Sequence, residues 1–268
     1  MTNNDENTAI WWGAFSLDAE ESLLWEIGAM RLSVLRKDQE WQVAQTGNGF
    51  PEGDDIACRM ARNERLADDE AKAERYIFTR TRETVRVMPQ LADRPVIVRP
   101  AGAFHVLSGQ QATIYVSSPL WMRIEVHEPA VTLGEFSIQR PSDTWFGPST
   151  REGELCYASR TQGRLRLDEL PHRPHRAVTP VSIVNRSDEP LLLERLSLPV
   201  PFLSLYSSEG GTLWTNGVTM CRESDTDIAE ITVSEAPPPT EYVTHRLTGP
   251  RRKAEKNMLI RAFGALLG

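Results

Sequence analysis

The 268-residue chain carries 30 basic and 37 acidic residues, for a formal net charge of −7. That balance favours solubility and works against a general binder of phosphate backbones, so no nucleic acid is expected as a partner. The apolar runs fall short of the roughly 20 residues that cross a bilayer as a helix. The opening MTNNDENTAI lacks the basic start and apolar stretch of a secretory signal, which predicts a disordered start over residues 1–10 and a cytoplasmic protein.

Beyond it, short runs rich in Val, Ile, Leu, Tyr and Trp recur between Pro, Gly, Asn and Asp, and helical periodicity is scarce. The fold class expected is mostly β, with two antiparallel β-sandwich-like modules packed together and a C-terminal amphipathic helix. Residues 23–27, 30–35 and 40–44 read as an opening meander with a turn at Arg36-Lys37-Asp38, and Trp11, Trp12, Trp25 and Trp41 supply its bulk. Residues 48–73 read as a surface excursion, and 66–75 as a short helix. Strands resume at 75–79, 84–88, 95–99 and 104–107, then at 111–117 and 120–126, with a break at Ser118-Pro119. The N-terminal module is taken as 11–135 and the C-terminal one as 136–249, the boundary lying between Pro129 and Pro141.

In the second module strands are expected at 154–159, 164–168, 178–185, 191–198, 202–206, 212–221, 228–233 and 241–247. The turn Asn185-Arg186-Ser187-Asp188 reads as a hairpin between two of them. Residues 250–268 then read as a basic amphipathic helix. Met258, Leu259, Ala262, Phe263, Leu266 and Leu267 form its apolar stripe, and Arg251, Arg252, Lys253, Lys256 and Arg261 its positive face. Such a helix packs on its own sheet, enters a partner's groove or lies on an anionic membrane, and peripheral contact is the most membrane association expected.

The densest mixture of chemistry is residues 142–160, SDTWFGPSTREGELCYASR. Asp143, Trp145, Phe146, Arg151, Glu154, Tyr157 and Arg160 are the candidate partner- or ligand-binding residues, with Arg251, Arg252, Lys253, Lys256 and Phe263 on the helix. No catalytic signature or phosphate-cradling loop is present, so no catalytic residue and no cofactor are expected. The carboxylates read more plainly as turn caps and ion pairs. His172 and His175 are spaced for a shared metal, but Pro174 between them prevents the helical face that zinc-protease histidines use, and no metal is assigned. Cys58, Cys156 and Cys221 read as reduced, buried thiols. Trp121, Trp145 and Trp214 read as core residues before stacking platforms.

The stretches SDTWFGPSTREGELCYASRT, IYVSSPLWMRIEV, HRAVTPVSIVNRS and LSLPVPFLSLY resemble the prokaryotic family called domain of unknown function 432, from about Trp12 to Phe263. That resemblance implies no activity, cofactor or catalytic residue. It does imply an association with small-conductance mechanosensitive channels, and hence an accessory role at the inner face of a membrane. The expectation is therefore a non-enzymatic binding protein. Its partner is another protein, such as that channel; homo-oligomerisation is left open. The alternative is a protein or enzyme acting on a small anionic ligand in a cleft between the modules, where Arg140, Arg151, Arg160, Arg164 and Arg173 make the middle of the chain basic.

Overall fold

The computed structural model describes residues 10–47, 58–67, 71–126, 129–148, 151–238, 245–254 and 258–264, with the side chains of all but 159–161. These residues are mostly β, as expected, and they fall into two compact units. One unit is Met1–Gln90 with Leu120–Arg140, and the other is Leu91–Pro119 with Pro141–Gly268.

In chain order the first unit contains β1 (Gly13–Ser16), β2 (Ser22–Ile27), β3 (Met30–Arg36), β4 (Glu40–Thr46), β5 (Cys58–Arg62), β6 (Glu74–Ile77) and most of β7 (Thr84–Leu91). The anticipated meander is present. β2 and β3 meet at a two-residue turn whose Gly28 has φ +59°, a left-handed conformation that glycine adopts without a Cβ penalty. β5 and β6 add to the outer sides, giving an antiparallel sheet in the order β5-β2-β3-β4-β6. Trp11, Trp25 and Trp41 are completely buried, and Trp25 Nε1 donates to the Trp11 carbonyl at 3.1 Å. Arg36 is buried too, donating to the Leu17 carbonyl (2.9 Å) and to Thr81 Oγ1 (3.0 Å), so its charge is matched by oriented oxygens.

The helix expected over 66–75 is absent among the described residues. Leu66 is buried outside any helix, the strand β6 has begun at Glu74, and residues 68–70 of the expected helix lie outside the described residues.

The chain then enters the second unit with β8 (Val96–Pro100), β9 (Phe104–Val106) and the first half of β10 (Gln111–Val126). The break expected at Ser118-Pro119 does not occur. Pro119 is tolerated because β10 changes partner there: it is the last residue paired with the later strand through Arg176, and pairing with β11 (Val131–Ser137) starts at Trp121. The second half of β10 and β11 belong to the first unit, where β10 also neighbours β7.

The rest of the second unit is β12 (Ser142–Phe146), β13 (Glu154–Gly163), β14 (Arg176–Asn185), β15 (Leu191–Leu193), β16 (Arg195–Leu198), β17 (Leu205–Ser207), β18 (Leu213–Thr215), β19 (Val218–Arg222), β20 (Ile228–Val233), β21 (His245–Thr248), β22 (Met258–Arg261) and β23 (Phe263–Gly264). The strand expected at 164–168 is instead a 3-10 turn over Leu167–Glu169, beyond a bridge from Arg164 to Tyr115. The turn after Asn185 forms, with Asn185 Oδ1 accepting from Ser187 Oγ at 2.8 Å, but it joins no hairpin. β14 pairs with β10, β18 and β19, whereas β15 pairs with β9. Asn185 Nδ2, donating to the carbonyls of Val106 and Glu189 at 2.9 Å each, turns the chain away from its own strand.

The largest correction is at the C-terminus. The residues expected to form a helix form none where described: 251–254 are bends and irregular chain, β22 pairs with β20, and β23 pairs with β16. Helical spacing of the apolar residues is real, but the edges of two sheets satisfy this backbone more fully than an isolated helix would. Lys256, Leu266 and Leu267, like residues 1–9, lie outside the described residues.

Candidate functional site

The segment singled out by its chemistry folds as the β12–β13 hairpin, at one end of a sheet ordered β12-β13-β8-β16-β23. The antiparallel register sets Asp143 opposite Tyr157 and Trp145 opposite Leu155 on one side, and Thr144 opposite Cys156 and Phe146 opposite Glu154 on the other. Period-two alternation thus sorts the candidates onto two faces.

On the first face, parallel pairing of β13 with β8 brings in two residues that the segment itself does not contain. Arg94 Nη1 is 3.1 Å from Asp143 Oδ1, and its guanidinium lies 5.2 Å from the centre of the Tyr157 ring. Tyr157 donates its hydroxyl to Asp93 Oδ1 at 3.0 Å. Burial first, and then the bond to Asp93, push the Tyr157 phenol upward, so it stays protonated as a donor. Asp143, one of two residues, with Ser142, that the sequence offers as a turn cap, is an ion-pair partner within β12. Neither Asp93 nor Arg94 was recognisable beforehand, because the contacts they make lie 49 and 64 residues away along the chain.

Beyond this network, Trp145 and Leu155 stand 40% and 42% exposed as a cross-strand pair. Trp145 departs from the core role expected of it, whereas Trp121 and Trp214 are buried. Its indole lies over the backbone of Gly153, where a Cβ would come within 2.2 Å of Nε1. Glycine is needed there for the ring to lie flat. Arg151 is exposed in the loop that joins the strands.

The second face is a packed one. Phe146 and Cys156 are buried with Ile97, and the Arg195 guanidinium sits 5.4 Å from the Phe146 ring centre. Desolvation raises Glu154, offset in part by the nearby positive charge of Arg252. Burial pushes the thiol of Cys156 up to about 12, and those of Cys58 and Cys221 up to about 11. Such thiols remain protonated near neutrality, which removes the usual basis of cysteine nucleophilicity.

The remaining candidates disperse. Arg251 Nε donates to the Leu91 carbonyl at 2.7 Å, Phe263 is buried, and Lys253 is exposed. The side chain of Arg160 lies outside the described residues. His172 meets Thr212 Oγ1 at 3.0 Å, while His175 is buried, so the two imidazoles serve different surroundings. Glu154 sits near the positive charge of Arg252. Among the described residues, no group of three or more His, Cys, Asp or Glu is placed to hold a metal. No helix among them is long and apolar enough to cross a membrane.

A family model described as "Protein of unknown function (DUF432)" matches residues 11–267. No curated protein and no solved structure matches the chain.

Proposed function

As the chain belongs to the DUF432 family, whose description assigns no activity, we propose from the hairpin geometry that it is a non-enzymatic binding protein that docks a protein partner at the β12–β13 edge. The observation that carries this reading is the exposed Trp145–Leu155 pair on the end strand of a sheet, beside the Arg94–Asp143 ion pair. Tryptophan, tyrosine and arginine supply most of the energy at protein interfaces, and an end strand offers backbone groups to an incoming chain. Trp145 and Leu155 act as apolar anchors. Arg151 and Asp143 set register by charge-assisted hydrogen bonds.

The association implied by the family resemblance makes that partner a membrane assembly such as a small-conductance mechanosensitive channel, with this chain as its accessory subunit on the cytoplasmic side. Co-purification from detergent-solubilised cells tests the proposal. A channel protein enriched with the wild type and lost with Trp145→Ala and Arg151→Ala is the expected result. Recovery of the chain alone, or equal enrichment with the variants, overturns it.

A further inference from the structure

A second feature lies within the Leu91–Pro119 and Pro141–Gly268 unit, on residues that the hairpin does not use. A cleft of about 720 Å³, open to solvent, is bordered by β17, β20, β21 and residues 250–254. Small-molecule sites commonly occupy roughly 300–1,000 Å³, so the space suits a metabolite-sized ligand.

Its lining is built from the inside outward. Asn216 is buried in the short connection between β18 and β19, and both polar atoms of its side chain are committed. Oδ1 accepts from the Ser204 N–H at 2.7 Å, and Nδ2 donates to the Ser234 carbonyl at 2.8 Å and to the Tyr206 hydroxyl at 3.3 Å. Asn216 thereby ties two walls of the cleft together and orients Tyr206. With its oxygen already accepting, the phenol keeps its own hydrogen to donate, and no acceptor takes it among the described residues. Ile231 adds a buried apolar wall suited to a carbon skeleton.

The rim is charged. Arg246 lies opposite Tyr206 in the β17–β21 pairing, and Lys253 follows on the chain segment beyond β21. Neither forms an ion pair among the described residues. The Arg246 guanidinium rests against Gly249, where a Cβ would stand 2.4 Å from Nη2, so the glycine determines where that charge points. Among the described lining residues Glu235 is the one carboxylate, set against the two cations Arg246 and Lys253, on a chain whose formal charge is −7. Two cations call for an anion, while the Tyr206 donor and the Glu235 acceptor call for hydroxyl groups on the same molecule.

We propose that this cleft binds a small organic anion bearing hydroxyl groups, of the size and chemistry of a sugar phosphate or sugar acid. Tyr206, Arg246 and Lys253 contact it, and Asn216 and Gly249 are positioning residues. Isothermal titration of the full chain with ribose 5-phosphate, gluconate, ribose and inorganic phosphate tests the assignment. Saturable binding of a hydroxylated anion is expected, with ribose and phosphate weaker by about tenfold or more. Arg246→Ala, Lys253→Ala and Tyr206→Phe should each weaken it by about tenfold. Gly249→Ala should weaken it with no charge removed. Arg246→Ala, Lys253→Ala and Gly249→Ala should unfold at the wild-type temperature, whereas Tyr206→Phe, which takes an acceptor from buried Asn216 Nδ2, should unfold somewhat earlier while staying folded at the titration temperature. Trp145→Ala should bind as the wild type does, which separates this cleft from the hairpin. No saturable binding of either hydroxylated anion up to about 10 mM, equal affinity for inorganic phosphate, or full binding by the Arg246→Ala/Lys253→Ala double variant overturns the proposal.

Discussion

His175 is 2% exposed in the turn before β14, and neither ring nitrogen has a hydrogen-bond partner among the described residues. Burial, followed by the charges of Arg176 and Arg173, drives its pKa from 6.5 down to about 3. The unfolded chain therefore takes up this proton first as the pH falls. The stability that depends on neutral His175 is complete above about pH 6.5 and drains away toward pH 3, amounting to about 2 kcal/mol by pH 5. Denaturant unfolding at about pH 7 and 5 should show His175→Leu losing less stability than the wild type over that interval; parallel losses would refute the assignment. Arg36 gives a different result at the same level of detail. Its replacement by Met should destabilise the protein by about 2–4 kcal/mol in equilibrium unfolding, because the carbonyl of Leu17 and the hydroxyl of Thr81 lose their buried donor.

The C-terminal strands show how local pattern and tertiary pairing separate. Phe263 is 1% exposed and paired with Leu196, whereas Leu259 in β22 is 73% exposed. Phe263→Ala should cost about 3–5 kcal/mol and Leu259→Ala less than about 0.5, a contrast that a shared helical stripe would not produce. Denaturant titration of the two variants decides between the arrangements. The meander over β2, β3 and β4 was legible because its contacts are local: alternating side chains and a tight turn carry the information within some twenty-five residues. β22 and β23 were not, since the partners that hold them extended are Ile228–Val233 and Arg195–Leu198, far upstream. Likewise the hairpin residues were found from composition, but Arg94 entered only through a parallel pairing. The cleft had no sequence signature, because Tyr206, Asn216 and Arg246 come from separate short strands and connections whose packing defines it.

The three cysteines provide a readout across the chain. Cys58 belongs to the unit containing Met1–Gln90, and Cys156 and Cys221 to the other. Cys58 is half-buried while the other two are buried. All three resist ionisation, so a thiol reagent at about pH 8 should modify the native protein slowly, Cys58 first, and denatured protein at once at all three sites. Mass spectrometry of timed samples checks the order. Immediate modification of Cys156 in native protein would contradict its placement beside Ile97 and Phe146.

The chain's alternation between units also imposes a timetable on synthesis. The first unit lacks its closing pieces until Leu120–Arg140 has been made, and by then β8 and β9 have already been made too. β8 must wait for β13 and β16, and β9 for β15, which are translated much later. During that interval the apolar Val96, Ile97 and Val98 have no sheet to join, which is the condition under which nascent β strands are prone to wrong pairings. The nascent protein is therefore most vulnerable midway through translation, and a chaperone that shields residues 91–119 would protect it more than one that shields either end.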